Sequence, residues 1–278
     1  MAYDYATLDV ELKDGVLELV LNRPEARNAL NHPLQDDIDA ALDEAEVDDD
    51  VRAVLVWGKG VVFSAGHDLK EASDPNYTGK LFPQEGFPIE SPSSSRMFQR
   101  AWYFRKPLIC AVHKYVGPGA TALVCCADFN IAAEGTRFGF EIMRKRGSVP
   151  SYYWLPLYVQ LPMRVIEKLF LMGGWMDARE ALQFQLVQRV VPEDEVVNEA
   201  RRWAEQAALI PSATFGHAKD QIRRSYELLG LSSVHAALAR FGPPEPGRQP
   251  VYKDLREIGI AEVLRKRDEG VDEEISRV

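Results

Sequence analysis

The chain has 278 residues, 46% of them hydrophobic, which suffices for one large α/β core and excludes a fibrous or low-complexity protein. Lys and Arg total 33 against 42 Asp and Glu, and the resulting formal charge of -9 argues against a general nucleic-acid binder. No basic segment followed by an apolar run opens the sequence and no run of about 18 apolar residues occurs, so a soluble, cytoplasmic protein with no membrane span is expected. Cys110, Cys125 and Cys126 sit in apolar surroundings without metal-like spacing, and they read as buried thiols rather than as a metal site or a disulfide.

The elements alternate through the first half of the chain. "LDVEL" and "VLELVL" place apolar residues at every second position around "KDG", so Leu8 to Leu21 reads as a β-hairpin. In "HPLQDDIDAALDEAEVDDD", Leu34, Ile38, Ala41, Leu42 and Ala45 share one helical face, and Pro33 suits the first turn. "VRAVLVWG" and "KPLICAVH" are short, β-branched and almost continuously apolar, as strands covered on both faces are; they are expected side by side in the core. Between them, Ala72 to Ser95 carries four prolines and two glycines with no sustained period, and reads as an irregular insert.

After Met163 the pattern turns helical. Asp177 and Glu180 in "DAREALQFQL" are spaced as a capping box. "EDEVVNEARRWAEQAALI" and "SATFGHAKDQIRRSYELLG" have helical periodicity, and a linker at Gly242 to Pro250 precedes a last helix in "KDLREIGIAEVLRKRDEG". With no internal repeat and no second core, the organisation expected is one domain: residues 1–200 as the core and 201–278 as its C-terminal helical region.

Two glycine turns carry the chemistry. "HKYVGPGATALVCCAD" places Gly117, Pro118 and Gly119 between a buried strand and a helix that is apolar all round. The first N–H groups of a helix lack internal partners and carry the positive end of its dipole, so a developing oxyanion can sit there. "VVFSAGHDLKE" offers a second turn. If the two converge, the peptide N–H groups of His67 and Gly119 form a two-donor hole for a carbonyl oxygen. His67 also stands beside Asp68, which invites a second reading as a proton carrier. Adjacent residues seldom face each other, however, and Asp68 is placed to cap the helix that follows.

The chain resembles the enoyl-CoA hydratase/isomerase, or crotonase, family. The resemblance rests on "LNRPEARNAL", "FSAGHDLKE", "KPLICAVHKYVGPGATALVCCAD", "FGFEIMRKRGSVP" and "GGWMDAREALQFQLVQRVVPEDEV", in that order along the chain. It implies a spiral of ββα units with a C-terminal helical region, an acyl-CoA thioester substrate and no permanently bound cofactor. It also implies a homotrimer or a dimer of trimers. Matched motif to motif, the oxyanion donors are the backbone amides of His67, where alanine is usual, and Gly119. Arg27, Lys70 and Lys266 match the positions that hold the nucleotide and phosphates of coenzyme A.

The departures from the pattern matter as much. A hydratase uses two glutamates, and the first position here is Ala122, which can neither take a proton nor orient water. The second is expected shortly after "FG". The stretch from Phe138 to Gly147 is one residue longer than the usual pattern: counting from Gly139 leaves Glu141 one place early and counting back from Gly147 lands on Met143, so Glu141 reads either as the catalytic carboxylate, reached through a local shift, or as a structural one. Tyr152, Tyr153 and Trp154 replace a usually small, glycine-rich stretch and either narrow an acyl pocket or pack in the core. Asp128 and His113 read as structural. The function expected is acyl-CoA enolate chemistry on a divergent site, such as isomerisation, hydration or carbon-carbon bond hydrolysis. A CoA-binding protein with little catalysis is the alternative.

Overall fold

The computed structural model describes residues 3–73, 92–141, 160–230 and 257–277. The expected hairpin is formed by β1 (Leu8–Lys13) and β2 (Val16–Leu21), joined through Asp14 and Gly15, both with positive φ as a tight two-residue turn requires. Helix α1 (His32–Val47) follows, capped by Asn31, whose side chain accepts from Leu34 N at 3.2 Å; the five residues expected on its apolar face are all buried. Next come β3 (Ala53–Gly58), α2 (Leu69–Ser73), α3 (Pro92–Tyr103), β4 (Leu108–Val112), β5 (Tyr115–Val116), α4 (Pro118–Cys126), β6 (Phe129–Ala133) and β7 (Arg137–Gly139). The later part holds α5 (Met163–Leu171), β8 (Trp175–Asp177), α6 (Ala178–Gln183), β9 (Arg189–Val191), α7 (Val196–Ala208), α8 (Ser212–Leu228), α9 (Ile260–Asp268) and α10 (Glu273–Ser276).

Among the described residues, one sheet runs β1-β2-β3-β4-β6-β9 and a smaller one runs β5-β7-β8. In the larger sheet every pair after the hairpin is parallel, and β3 and β4 are neighbours as expected. Alternate residues of these strands enter two cores. Val54, Val56, Leu108, Cys110 and Val112 join the main core with α1, α3 and α4, while Ala53, Leu55, Ile109 and Ala111 meet Ala200 and Ala204 of α7. That two-sided cover is why these strands read as unbroken apolar runs. All three cysteines are buried free thiols, as expected.

Three expectations need correction. The insert from Ala72 to Ser95 is helical at both ends, because α2 runs to Ser73 and α3 starts at Pro92. Proline is tolerated in a first helical turn, so the Pro-Ser run that signals a loop also permits a helix start. The region after Met163 is not purely helical, since β8 and β9 pair with β7 and β6. The last helix is broken at Gly259, whose φ of 81° is outside helical geometry. The Gly242 to Pro250 linker and Tyr152, Tyr153 and Trp154 lie outside the described residues.

Candidate active site

The first turn is held by its neighbours. Asn28 donates from its amide to the carbonyls of Lys59, Val62 and Phe63 at 2.8, 3.3 and 3.0 Å, and its own carbonyl accepts from Ser64 Oγ at 2.6 Å. Leu30 N donates to Gly66 O at 2.8 Å, and Asp68 N to Leu30 O at 3.3 Å, which strap His67 from both sides. Asp68 caps α2: its Oδ1 accepts from Lys70 N at 3.0 Å and Glu71 N at 3.2 Å, while Oδ2 pairs with Arg23 at 3.2 Å. Glu71 in turn accepts from His32 N at 2.9 Å, tying α2 to the start of α1; burial raises its carboxyl pKa against the pull of His32.

The second turn presses directly on the first. Gly117 N donates to Ser64 O at 2.8 Å, and a Cβ on Gly117 would lie 2.1 Å from Ala65 O. A Cβ on Gly66, whose φ is 82°, would lie 3.0 Å from Gly119 N. Only residues without a side chain allow this approach. Pro118 opens α4, so Gly119 is its second residue, a position where helix geometry supplies no internal acceptor for the peptide N–H. His67 and Gly119 are therefore brought together, with the positive end of a largely buried helix behind them.

Ala122 lies one turn along α4 from Gly119 and is buried in the main core, so that position offers no acid or base. Glu141 follows β7. It is only 2% exposed, its Oε1 is 3.3 Å from the Arg137 guanidinium and its Oε2 accepts from Tyr115 Oη at 3.3 Å. Arg137 stacks over the Trp175 ring, 4.1 Å from its centroid. Met143 and Gly147 lie outside the described residues. Lys70 and Lys266 are exposed on α2 and α9, which touch through Leu69 and the buried Val263. Arg27 is exposed too, and its carbonyl accepts from Ala65 N at 2.9 Å.

Asp128 is structural: it accepts from Leu108 N at 2.9 Å, Lys219 at 2.7 Å and Arg223 at 3.3 Å. His113 is buried with its Nε2 3.1 Å from Gly60 O. Sequence reasoning passed over Arg23, Asn28, Tyr115 and Arg137. For Asn28 a signal existed, because "RN" places an asparagine where left-handed backbone is wanted, and both Arg27 and Asn28 have positive φ. No group of three His, Cys, Asp or Glu among the described residues could hold a metal ion, and no helix among them is long and apolar enough to cross a membrane.

The family model for enoyl-CoA hydratase/isomerase matches residues 11–242. The chain belongs to the enoyl-CoA hydratase/isomerase family. Among curated relatives of this family, the probable enoyl-CoA hydratase echA8 of Mycobacterium bovis is 32% identical over 80% of this chain and 83% of its own length. The 2,3-dehydroadipyl-CoA hydratase of Escherichia coli is 30% identical over 84% of this chain and 86% of its own. Among solved structures, an enoyl-CoA hydratase/isomerase from Xanthobacter autotrophicus Py2 superposes with a TM-score of 0.81 at 28% identity, covering 97% of this chain and 100% of that one. The architecture is accordingly the crotonase fold of the enoyl-CoA hydratase/isomerase family, the α/β class expected from the sequence.

Proposed function

We propose that this protein transforms an acyl-CoA thioester by stabilising its enolate between the peptide N–H groups of His67 and Gly119. The single observation that carries this reading is the contact between the two glycine turns, in which Gly117 has no room for a Cβ and Gly66, at positive φ, would bring one to 3.0 Å from Gly119 N. Two donors fixed before reaction cost no reorganisation when charge develops on the thioester oxygen, and one such donor is worth about 100 to 1,000-fold in rate. Within this reading His67 serves first through its amide. Arg27, Lys70 and Lys266 hold the phosphorylated end of coenzyme A, the last two from helices that pack on one another. The acyl-CoA is the substrate, no permanent cofactor is used, and the assembly is a homotrimer or a dimer of trimers.

Glu141 is the proton carrier in this reading. With Ala122 in place of a first acid, one carboxylate serves both proton removal and return. That favours shifting a double bond, or carbon-carbon bond hydrolysis, over water addition by two glutamates. Ala122 also motivates a second reading, a CoA-thioester-binding protein with little or no catalysis. Incubating the protein with a panel of acyl-CoA thioesters and following products by mass spectrometry separates the two. Turnover of any member sustains the enzyme, whereas saturable binding without turnover sustains the binder.

A further inference from the structure

We propose that Tyr115 is a positioning residue that fixes the Glu141 carboxylate relative to the oxyanion turns; this rests on Glu141 being the proton carrier. Tyr115 begins β5, two residues before Gly117. Its carbonyl accepts from Ser64 N at 3.4 Å, and the same strand pairs in parallel with β7, placing Tyr115 opposite Arg137. One residue thus has its backbone in the seam between the two turns and its phenol on the carboxylate, with Tyr115 Oη 3.3 Å from Glu141 Oε2. Arg137 takes the other oxygen, and its guanidinium is itself held against Trp175. Both oxygens are therefore oriented, one by charge and one by a hydroxyl donor.

Gly139 shows that the place is built for this contact. A Cβ there would lie 2.2 Å from Glu141 Oε2 and 2.8 Å from Tyr115 Oη, so only glycine lets carboxylate and phenol meet above the strand. A carboxylate that exchanges a proton with carbon must be aimed at it, and an ångström of misplacement costs about 100-fold. In this proposal the phenol acts through the carboxylate and not on the thioester, so its removal should act on turnover and leave binding alone.

Two variants disturb the contact from opposite sides. Tyr115→Phe removes the hydroxyl and keeps the ring; Gly139→Ala keeps every functional group and pushes the carboxylate off the phenol. On a thioester that the native enzyme turns over, each should lower kcat by about tenfold or more with KM unchanged. Adding Tyr115→Phe to Glu141→Gln should lower kcat no further than Glu141→Gln alone. Wild-type kcat in both single variants, beside a slow Glu141→Gln, would overturn the proposal while leaving Glu141 as the proton carrier. Full activity in Glu141→Gln would overturn that reading and this proposal with it. A readout that needs no turnover is the ring-carbon NMR signal that disappears in Tyr115→Phe: at neutral pH it should shift in Glu141→Gln relative to the native protein, and a signal that does not move would also overturn the proposal.

Discussion

The imidazole of His67 lies against the α-carbon of Gly119: a Cβ placed on that glycine would sit 2.8 Å from Cδ2 and 2.9 Å from Nε2 of the ring. The two proposed oxyanion donors are thus linked by side-chain packing as well as by backbone. Phe98 meets the same ring edge-to-face, with centroids 6.4 Å apart. Gly119→Ala forces either the ring or the turn to move, and about 100-fold in kcat is the expected cost of misplacing one donor. His67→Ala removes the obstacle and keeps the amide, so it should retain most activity alone and restore most of it to Gly119→Ala. Measured kcat values for the two single variants and the double variant decide this. A double variant as slow as Gly119→Ala would locate the obstacle outside the ring, and an inactive His67→Ala would return the ring to the role of proton carrier.

Lys70 tests the cofactor end of the substrate. It projects from α2 directly after Leu69, the residue on which Val263 of α9 packs. Lys70→Ala should weaken CoA thioesters by about fivefold, as expected for one partly exposed charge pair, without weakening pantetheine thioesters that lack the nucleotide. Calorimetric or competition binding of both compounds is the check. Equal loss for both would remove Lys70 from the nucleotide site.

A buried ion cluster fastens α8 to the core. Asp128 faces Lys219, which is 6% exposed, and Arg223, which is 9% exposed and lies over Trp102 at 3.5 Å. Burial lowers the pKa of Lys219, and the Asp128 charge opposes that shift. Asp128→Asn removes the direct ion-pair partner of two buried cations and should cost about 3 to 5 kcal/mol of stability, whereas Lys219→Met, which keeps volume, should cost less. Urea unfolding of both variants measures the difference, and equal losses would mean that the cluster acts through packing alone.

What the sequence made legible follows the range of the interactions. The α1 face, the hairpin turn and the capping box at Asp177 and Glu180 are set by residues within a few positions of each other, and the structure holds each as expected. β8 and β9 have three residues apiece, too few for a period of two to be seen. The glycine turns were readable as turns, but their contact was not, because Gly66 meets Gly119 only after β4 and β5 carry the chain back. The hydrogen bond from Tyr115 to Glu141, which spans 26 positions, exists only through parallel pairing of β5 with β7, and no local pattern encodes that pairing.

Tyr115 also has a signature in stability. Burial first, and the charge of Glu141 second, hold its phenol well above the ordinary tyrosine range. In the unfolded chain a tyrosine ionises near pH 10 or so. From about pH 10 upward the unfolded chain therefore releases a proton that the folded protein keeps, and stability falls as pH rises, by at most about 1.4 kcal/mol per pH unit for this one group. Below that pH the group is protonated in both states and contributes no slope. Tyr115→Phe removes this share, while Tyr3 and Tyr5, whose phenols are also raised mainly by burial, remain in both proteins and cancel from the comparison. Urea unfolding at a series of pH values should give parallel stability profiles for native and Tyr115→Phe protein up to about pH 9, and a shallower decline for the variant above about pH 10. Profiles that stay parallel throughout would mean that the phenol ionises as freely in the fold as in water, and that the Glu141 contact is not maintained in solution.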